Sequence, residues 1–430
     1  MTFYFDNAAT TKIKPEVLSE MMPYLREEYG NPSSLYGIGR SAKRAIDSAR
    51  EKVAKLINCD KSEIYFTGCG TESDNTALKG IAYKYINSKE KHLDNVWNEA
   101  EDVKKQAEEV SDKNKGEEIE DKKIENQGEE IIENIIENKI KKNHIITTKI
   151  EHHAILESCK TLEKQGFEIT YLDVDKDGLI NLQELENAIK EETFFISVMF
   201  ANNEIGTIQP IKEIAKIAKQ KNVIFHTDAV QAVGNVPIDV KEMGIDMLSM
   251  SGHKIHAPKG IGALYVRKGI EFEPFMNGGH QEKNKRAGTE NLAGIVGLGK
   301  ACELANENLD YHTKHVGVLR DYFLEQVSKN IENIKINGSM EHRLPGNANI
   351  SFIGIDSTAL LLELDKKGIC CSSGSACNSG ESNPSHVLTA IGLDSETAKS
   401  ALRFTFGEFN TRAEVDYLVQ NLIECVEKLK

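Results

Sequence analysis

Ser251-Gly252-His253-Lys254 directly follows the apolar run Met247-Leu248-Ser249-Met250, with Pro258-Lys259-Gly260 beyond it. A lysine delivered at a strand end among polar neighbours can condense with a carbonyl cofactor to form a Schiff base. The plainer alternative is a surface lysine in a loop. Asp228 closes a second strand-like run, Val223 to Thr227, about 26 residues earlier. A carboxylate there could cap the next helix. It could also keep a pyridine nitrogen protonated, which makes the ring an electron sink. Together, on neighbouring strand ends, the lysine and the acid point to a pyridoxal phosphate site.

Three further constellations bear on that reading. Thr67-Gly68-Cys69-Gly70-Thr71-Glu72-Ser73-Asp74-Asn75 follows the strand Ile64-Tyr65-Phe66 and opens a helix. Its small residues, backbone N–H groups and Thr hydroxyl suit a phosphate, although many glycine-rich turns only reverse the chain. Glu151-His152-His153 follows the strand-like 144–150 segment. One imidazole there can stack on a flat cofactor and move protons near neutral pH, with the other a bystander. A metal pair is the alternative, but no third ligand stands at usable spacing. Cys377 lies in Ser372-Ser373-Gly374-Ser375-Ala376-Cys377-Asn378-Ser379-Gly380, a stretch too polar for a core. An exposed thiol on such a loop is a nucleophile if it ionises, and otherwise an incidental surface cysteine. Cys370 and Cys371 end an apolar run and are expected to be small core residues.

The elements that must position these residues alternate. Phe194 to Phe200 reads as a buried strand, and Pro210 opens a helix, Ile211 to Lys219, with Ile211, Ile214, Ala215 and Ala218 on one face. Val223 to His226 and Met247 to Met250 are further strands. Strand–helix–strand repetition implies a mostly parallel sheet covered by helices, with ligands beyond the carboxyl ends of the strands. Asp173 to Glu184 fits the EF-hand spacing of acids with glycine at the sixth position. The incoming Phe167 to Leu172 alternates like a strand, however, where an EF-hand requires a helix. A strand–turn–helix with Asn181 as N-cap and Glu184 completing a capping box accounts for the same letters.

Composition sets outer limits. The chain has 430 residues and a net charge of −14, which argues against nucleic-acid binding, since phosphate contacts need clustered Lys and Arg. No apolar run approaches the roughly 18–20 residues needed to span a bilayer. The start, Met1 to Asp6, lacks the features of a signal peptide. The eight cysteines form no CxxC pair, so neither a zinc ribbon nor a disulfide framework is indicated. A cytoplasmic, reduced protein is expected. Residues 88–142 differ from the rest, with 17 acidic and 11 basic residues, no proline and scattered isoleucines. They read as a surface insertion without a catalytic role.

With these residues in view, the chain resembles the cysteine desulfurases of the NifS/IscS type, within the fold-type I pyridoxal-phosphate enzymes of the class V aminotransferase family. The resemblance covers nearly the whole chain outside the insertion. It rests on Tyr4-Phe5-Asp6-Asn7-Ala8-Ala9-Thr10-Thr11, Gly30-Asn31-Pro32-Ser33-Ser34, Gly70 to Asn75 and Glu151-His152-His153-Ala154. It continues through Asn202-Asn203-Glu204-Ile205-Gly206, His226 to Gln231, Ser251 to Lys254, Arg286-Ala287-Gly288-Thr289, Ser373 to Cys377 and Leu402-Arg403-Phe404. Cys69, Ala257 and Asn284 depart from the pattern.

The resemblance implies an α/β fold with a large, mostly parallel seven-stranded domain and a smaller α+β domain. The large domain would span 15–265, interrupted by the insertion, and the small one 1–14 plus 266–430. It implies that Lys254 carries the cofactor and shuttles protons, and that His152 stacks on the ring. Asp228 would pair with the ring nitrogen and Gln231 with the ring hydroxyl. Gly70, Thr71, Ser251 and His253 would hold the phosphate, with Thr289 reaching in from the partner of a homodimer. Asn203 and Arg403 would fix the substrate L-cysteine, Arg403 through its carboxylate. Cys377 would take up sulfur as a persulfide and pass it to an acceptor protein for iron–sulfur cluster assembly or for tRNA or cofactor thiolation. Selenocysteine lyase or another pyridoxal-phosphate lyase or transaminase is the neighbouring alternative, and a non-catalytic partner-binding subunit the distant one.

Overall fold

A computed structural model describes residues 2–86, 143–373 and 384–430. The insertion at 88–142 and Cys377 lie outside the described residues.

The chain opens with β1 (Phe3–Tyr4), which pairs in parallel with β11 (Ile369–Cys370). The main sheet has seven strands in the order β2-β8-β7-β6-β5-β3-β4. These are β2 (Ile64–Thr67), β3 (His144–Thr148), β4 (Glu168–Leu172), β5 (Thr193–Ser197), β6 (Ile224–Asp228), β7 (Met247–Ser251) and β8 (Gly262–Val266). β8 runs antiparallel to both its neighbours; the other pairings are parallel. This is the mostly parallel, seven-stranded sheet expected from the resemblance. β3, β5, β7 and β8 are buried at every position. Cover on both faces is why the sequence reads as continuous apolar runs rather than alternation.

The helix Ile211–Gln220 buries Ile211, Ile214, Ala215 and Ala218, the face anticipated from their spacing. Another helix begins at Gly70 and follows β2 after a turn of two residues. The segment before Asp173 is β4, so the helix that an EF-hand needs is replaced by a strand. Asp175 Oδ1 accepts from the backbone N–H groups of Asp177 and Leu179, both at 2.9 Å, a side-chain-closed turn. Asn181 caps the helix Leu182–Ala188 by accepting from Gln183 N and Glu184 N at 2.9 and 3.3 Å. The return bond from Glu184, expected of a capping box, is not among the hydrogen bonds of the described residues.

A second sheet, β12-β13-β10-β9, is built from β9 (Ile334–Ile336), β10 (Asn347–Phe352), β12 (Ser372–Ser373) and β13 (Ala401–Thr405). Its core gathers Phe5, Phe323, Phe352, Phe404 and Phe406. Each fully buried phenylalanine contributes on the order of 1.5–3 kcal/mol. Five of them make this a core in its own right rather than a satellite of the first. The helix Leu292–Asn330 joins the two cores: residues up to Cys302 pack beneath the main sheet, and Val316 to Val327 pack in the second cluster.

One ion pair ties the end of the main domain to its first long helix. Arg50 of Gly37–Leu56 makes two parallel bonds to Glu282 at 2.7 and 2.6 Å, and Glu282 also accepts from Phe66 N at 2.9 Å. Glu282, Lys283 and Asn284 all have left-handed backbone angles, with φ of 44°, 59° and 65°. At position 284 asparagine tolerates that conformation better than most residues with a side chain.

Candidate active site

The carboxyl ends of β2, β3, β5, β6 and β7 converge on one cavity of about 420 Å³, bounded on the far side by Arg403 of β13. Parallel strands place their last residues on the same sheet edge, so the positions singled out from sequence arrive together. Gly70 and Thr71 come from the turn after β2, His152 from that after β3, and Asn203 from the stretch after β5. Asp228 ends β6 and Gln231 follows it, while Ser251 ends β7 and His253 and Lys254 follow it. Thr289 is exposed and does not line this cavity.

Lys254 Nζ donates to the carbonyls of Ala8 and Ala9 at 2.5 and 2.8 Å, so the N-terminal segment holds the amine in place. Gln231 Nε2 donates to the same Ala8 carbonyl at 3.0 Å. Asp228 is buried and accepts from Val230 N at 2.9 Å. Burial pushes its carboxyl up, opposed by the neighbouring His152, the Val230 bond and the charge of Lys254. His152 is the N-cap of His153–Glu163 and accepts from Ala154 N at 3.1 Å through Nδ1. Its lone pair at Nδ1 is therefore committed, and the neutral ring carries its hydrogen on Nε2. Burial lowers its basicity, so neutral imidazole is the working form.

Where the helix from Gly70 begins, its unpaired N–H groups and positive dipole end face the cavity. Ser251 Oγ is buried there without a hydrogen-bond partner among the described residues. A side chain at position 70 would meet Val230 Cγ2 at 2.7 Å, so only glycine lets the backbone approach this closely. His253 Nδ1 lies 3.1 Å from Thr10 Oγ1, and its basicity falls to about 4 through burial and the charges of Lys254 and Lys259. Cys69, the departure in this turn, is exposed and lines the cavity.

Arg403 is 2 % exposed, and its guanidinium is held at two nitrogens: Nη1 donates to the Asn203 carbonyl at 2.9 Å and Nη2 pairs with Asp6 at 2.8 Å. Nε is buried without a partner among the described residues. Sequence reasoning did not anticipate Asp6 as its partner; the acid sits in the opening motif, some 397 positions away.

Two glutamates beside the predicted residues were also missed. Glu151 accepts from Thr148 Oγ1 at 2.7 Å and Met199 N at 3.0 Å, while Oε2 has no partner. Burial raises its carboxyl from 4.5 to about 8. Glu204 accepts from the hydroxyl of Ser385, the N-cap of His386–Ala390, and burial raises it to about 7. His386 contacts the Glu151 carbonyl at 3.0 Å. Ser385 and His386 thus fasten their helix to the site. Glu151 carries a pH signature. Its folded form keeps its proton from 4.5 up to about 8, whereas the unfolded chain releases it above 4.5. Its contribution is therefore neutral below that window and costs up to about 1.4 kcal/mol per pH unit within it. Glu151→Gln is expected to flatten the loss of stability between about pH 5 and 8, measured by urea unfolding of the cofactor-stripped protein. An unchanged slope would rule the assignment out.

The class-V aminotransferase family pattern matches residues 3–140 and 126–418. A cysteine desulfurase IscS of Clostridium botulinum is 47% identical over 427 residues, covering 99% of this chain and 94% of that protein. This chain belongs to the class V aminotransferase family, in its cysteine desulfurase group. A second relative in the group, the cysteine desulfurase IscS of Methanosarcina thermophila, is 46% identical over 99% of this chain and 92% of its own length. Among solved structures, a NifS-like protein superposes with a TM-score of 0.83 at 36% identity, covering all of both chains. The structure titled SspA in complex with cysteine superposes with a TM-score of 0.73 at 34% identity, over 95% of this chain and all of that one. Family membership accounts for the sequence motifs collecting around one cavity, since each motif is a strand end or the turn after it.

Proposed function

We propose that this family member is a pyridoxal-phosphate-dependent cysteine desulfurase that converts L-cysteine to L-alanine and takes the sulfur as a persulfide on Cys377. The observation that carries the reading is the meeting in one cavity of the Lys254 amine, the Asp228 carboxylate and the helix N-terminus at Gly70. These groups fit the cofactor's three demands: an amine for its aldehyde, an acid for its ring nitrogen and donors for its phosphate. The buried, unpartnered Ser251 hydroxyl beside that helix end is a donor in need of an acceptor. His152 would lie against the ring and Gln231 beside its hydroxyl. Gly70, Thr71, Ser251 and His253 would hold the phosphate, and Thr289 would complete that site from the partner of a homodimer. The exposed Leu18, Met22, Leu25, Tyr29 and Leu35 supply an apolar face consistent with such pairing.

When bound, the cofactor supplies an electron sink for the charge left at the substrate's α-carbon. The chain's own groups do the rest. Arg403, with Asn203, orients the substrate carboxylate, and a bidentate pair there fixes both distance and angle. Lys254 takes the α-proton and returns it. Cys377, as thiolate, attacks the substrate sulfur, so that an S–S bond forms while the C–S bond breaks. The electron pair of that bond passes to the β-carbon, which gains a proton and leaves as the methyl group of alanine. Substrate and thiol together equal alanine and persulfide, with no outside oxidant. The persulfide then passes to an acceptor protein serving iron–sulfur cluster assembly or tRNA or cofactor thiolation. Every described cysteine is a free thiol, which supports a reducing compartment such as the cytoplasm. No helix of the described residues is long and apolar enough to cross a membrane.

The test is product analysis. Loaded with pyridoxal phosphate and given L-cysteine and a reductant, the protein is expected to release alanine and sulfide in equal amounts. Pyruvate in place of alanine, or turnover of selenocysteine alone, would assign it to a different lyase reaction.

A further inference from the structure

Asp74 is a charged-type residue that the proposed reaction leaves without a task. It lies in the second turn of the helix that begins at Gly70, is 1 % exposed, and lines the cavity beneath Asp228. One side-chain oxygen of Asp74, one of Asp228 and a ring nitrogen of His152 all fall within 4.8 Å of one another. Two carboxylates this close and this buried cannot both ionise without a cation between them. The question is which one keeps the proton.

The neighbours decide it. Asp228 faces the Lys254 ammonium and accepts the Val230 N–H. Asp74 faces Asp228 and His226 from β6, Ser249 from β7, and Glu151 and His152 from the turn after β3. The nearest acid on its own helix, Glu72, is paired with Arg286 at 2.8 Å. His226, at 3.9 Å, is no counter-ion, because burial drops its basicity to about 3 and keeps the ring neutral. Among the described residues no cation therefore offsets a charge on Asp74, and its Oδ1 is buried without a partner there. Burial and Asp228 both push its carboxyl well above the usual range, in the same direction as the geometry.

Below Asp74 runs a chain of polar groups whose direction depends on the state of Asp74. Ser249 contacts Asp74 and lies 2.9 Å from His226 Nε2, and His226 Nδ1 lies 2.9 Å from Ser197 Oγ. A neutral His226 has one donor and one acceptor nitrogen. If Asp74 donates to Ser249 Oγ, Ser249 can donate to Nε2 and Nδ1–H to Ser197; an ionised Asp74 would run the same chain in reverse, so the crowding of two buried carboxylates, not the chain, decides where the proton sits.

We propose that Asp74 is a positioning residue held as the neutral carboxylic acid, donating to Ser249 and leaving Asp228 as the one negative charge facing the ring-nitrogen position. The part about the ring rests on the function proposed above; the protonation state does not. An ionised Asp74 would present a second anion to the same spot.

The experiment is infrared spectroscopy on the full chain with carboxyl-labelled aspartate, stripped of cofactor. Labelling separates aspartates from the buried Glu151 and Glu204. Expected is a carboxylic-acid carbonyl band persisting at neutral pH that disappears in Asp74→Asn and survives in Asp228→Asn. Ser249→Ala is expected to shift its frequency. The wild-type band and the Ser249→Ala shift stand even if an Asp74 variant folds poorly. A second readout is cofactor affinity: Asp74→Asn within about threefold of wild type, and Asp74→Ala weaker by about tenfold. No labelled acid band in the wild type, or one that outlives Asp74→Asn, overturns the proposal. A protein that shows the Asp74 band yet takes up no pyridoxal phosphate would instead sink the proposed function.

Discussion

Lys254→Ala is expected to lower alanine formation by at least about 10³-fold, and to remove the absorbance of the lysine-bound cofactor. Two separate losses combine. The amine is the covalent anchor, and it is also the base that takes and returns the α-proton; the second role alone is worth roughly 10²–10⁴. The Nζ bonds to the Ala8 and Ala9 carbonyls are ones that water can replace in the variant. Thermal unfolding of the stripped variant is therefore expected to stay close to wild type. Added small primary amines are expected to restore part of the rate by supplying a base, without restoring covalent attachment. Wild-type-like absorbance in Lys254→Ala would show that another amine carries the cofactor.

The residues that were legible in the sequence share a physical property. Lys254, Asp228 and His152 each follow an apolar run closely, so local patterning reports the sheet edge on which they must lie. A mostly parallel sheet was legible for the same reason, since its central strands are buried on both faces and leave uninterrupted hydrophobic letters; the count of seven came from the resemblance. Asp74 was quoted within a motif but given no role. Its one local signal was an acid on a helix face otherwise made of Ser73, Ala77, Leu78 and Ile81, all buried. The Asp6–Arg403 pair was not legible, because β1 and β13 are brought together only by the second sheet and its neighbours, and no local pattern encodes a contact between the two ends of a chain. Glu151 sat beside the histidine that drew attention, and its burial depends on the stretch after β5 folding over it.

Cys377→Ala is expected to abolish persulfide formation, and with it sulfide release, while cofactor binding stays intact. The argument is one of separation. The groups proposed to hold the cofactor, Asp228, Ser251, His253 and Lys254, all stand on the ends of β6 and β7, whereas Cys377 belongs to the stretch following β12. Removing the thiol deletes the atom that accepts sulfur without touching the groups that accept the α-proton. Exchange of the α-hydrogen of cysteine or alanine with solvent is therefore expected to continue in Cys377→Ala at a rate within about tenfold of wild type, since it needs only the base and the electron sink. Sulfur transfer is expected to fall by at least about 10³-fold, the scale on which losing a covalent nucleophile is felt. A transaminase or a simple lyase would predict the reverse: a variant whose overall turnover hardly changes. Mass analysis after one turnover separates the two outcomes, because a persulfide adds one sulfur atom to the wild-type chain and none to the variant. If both chains gain that mass, the acceptor is another thiol, with Cys69 the first to test because it lines the same cavity and is exposed.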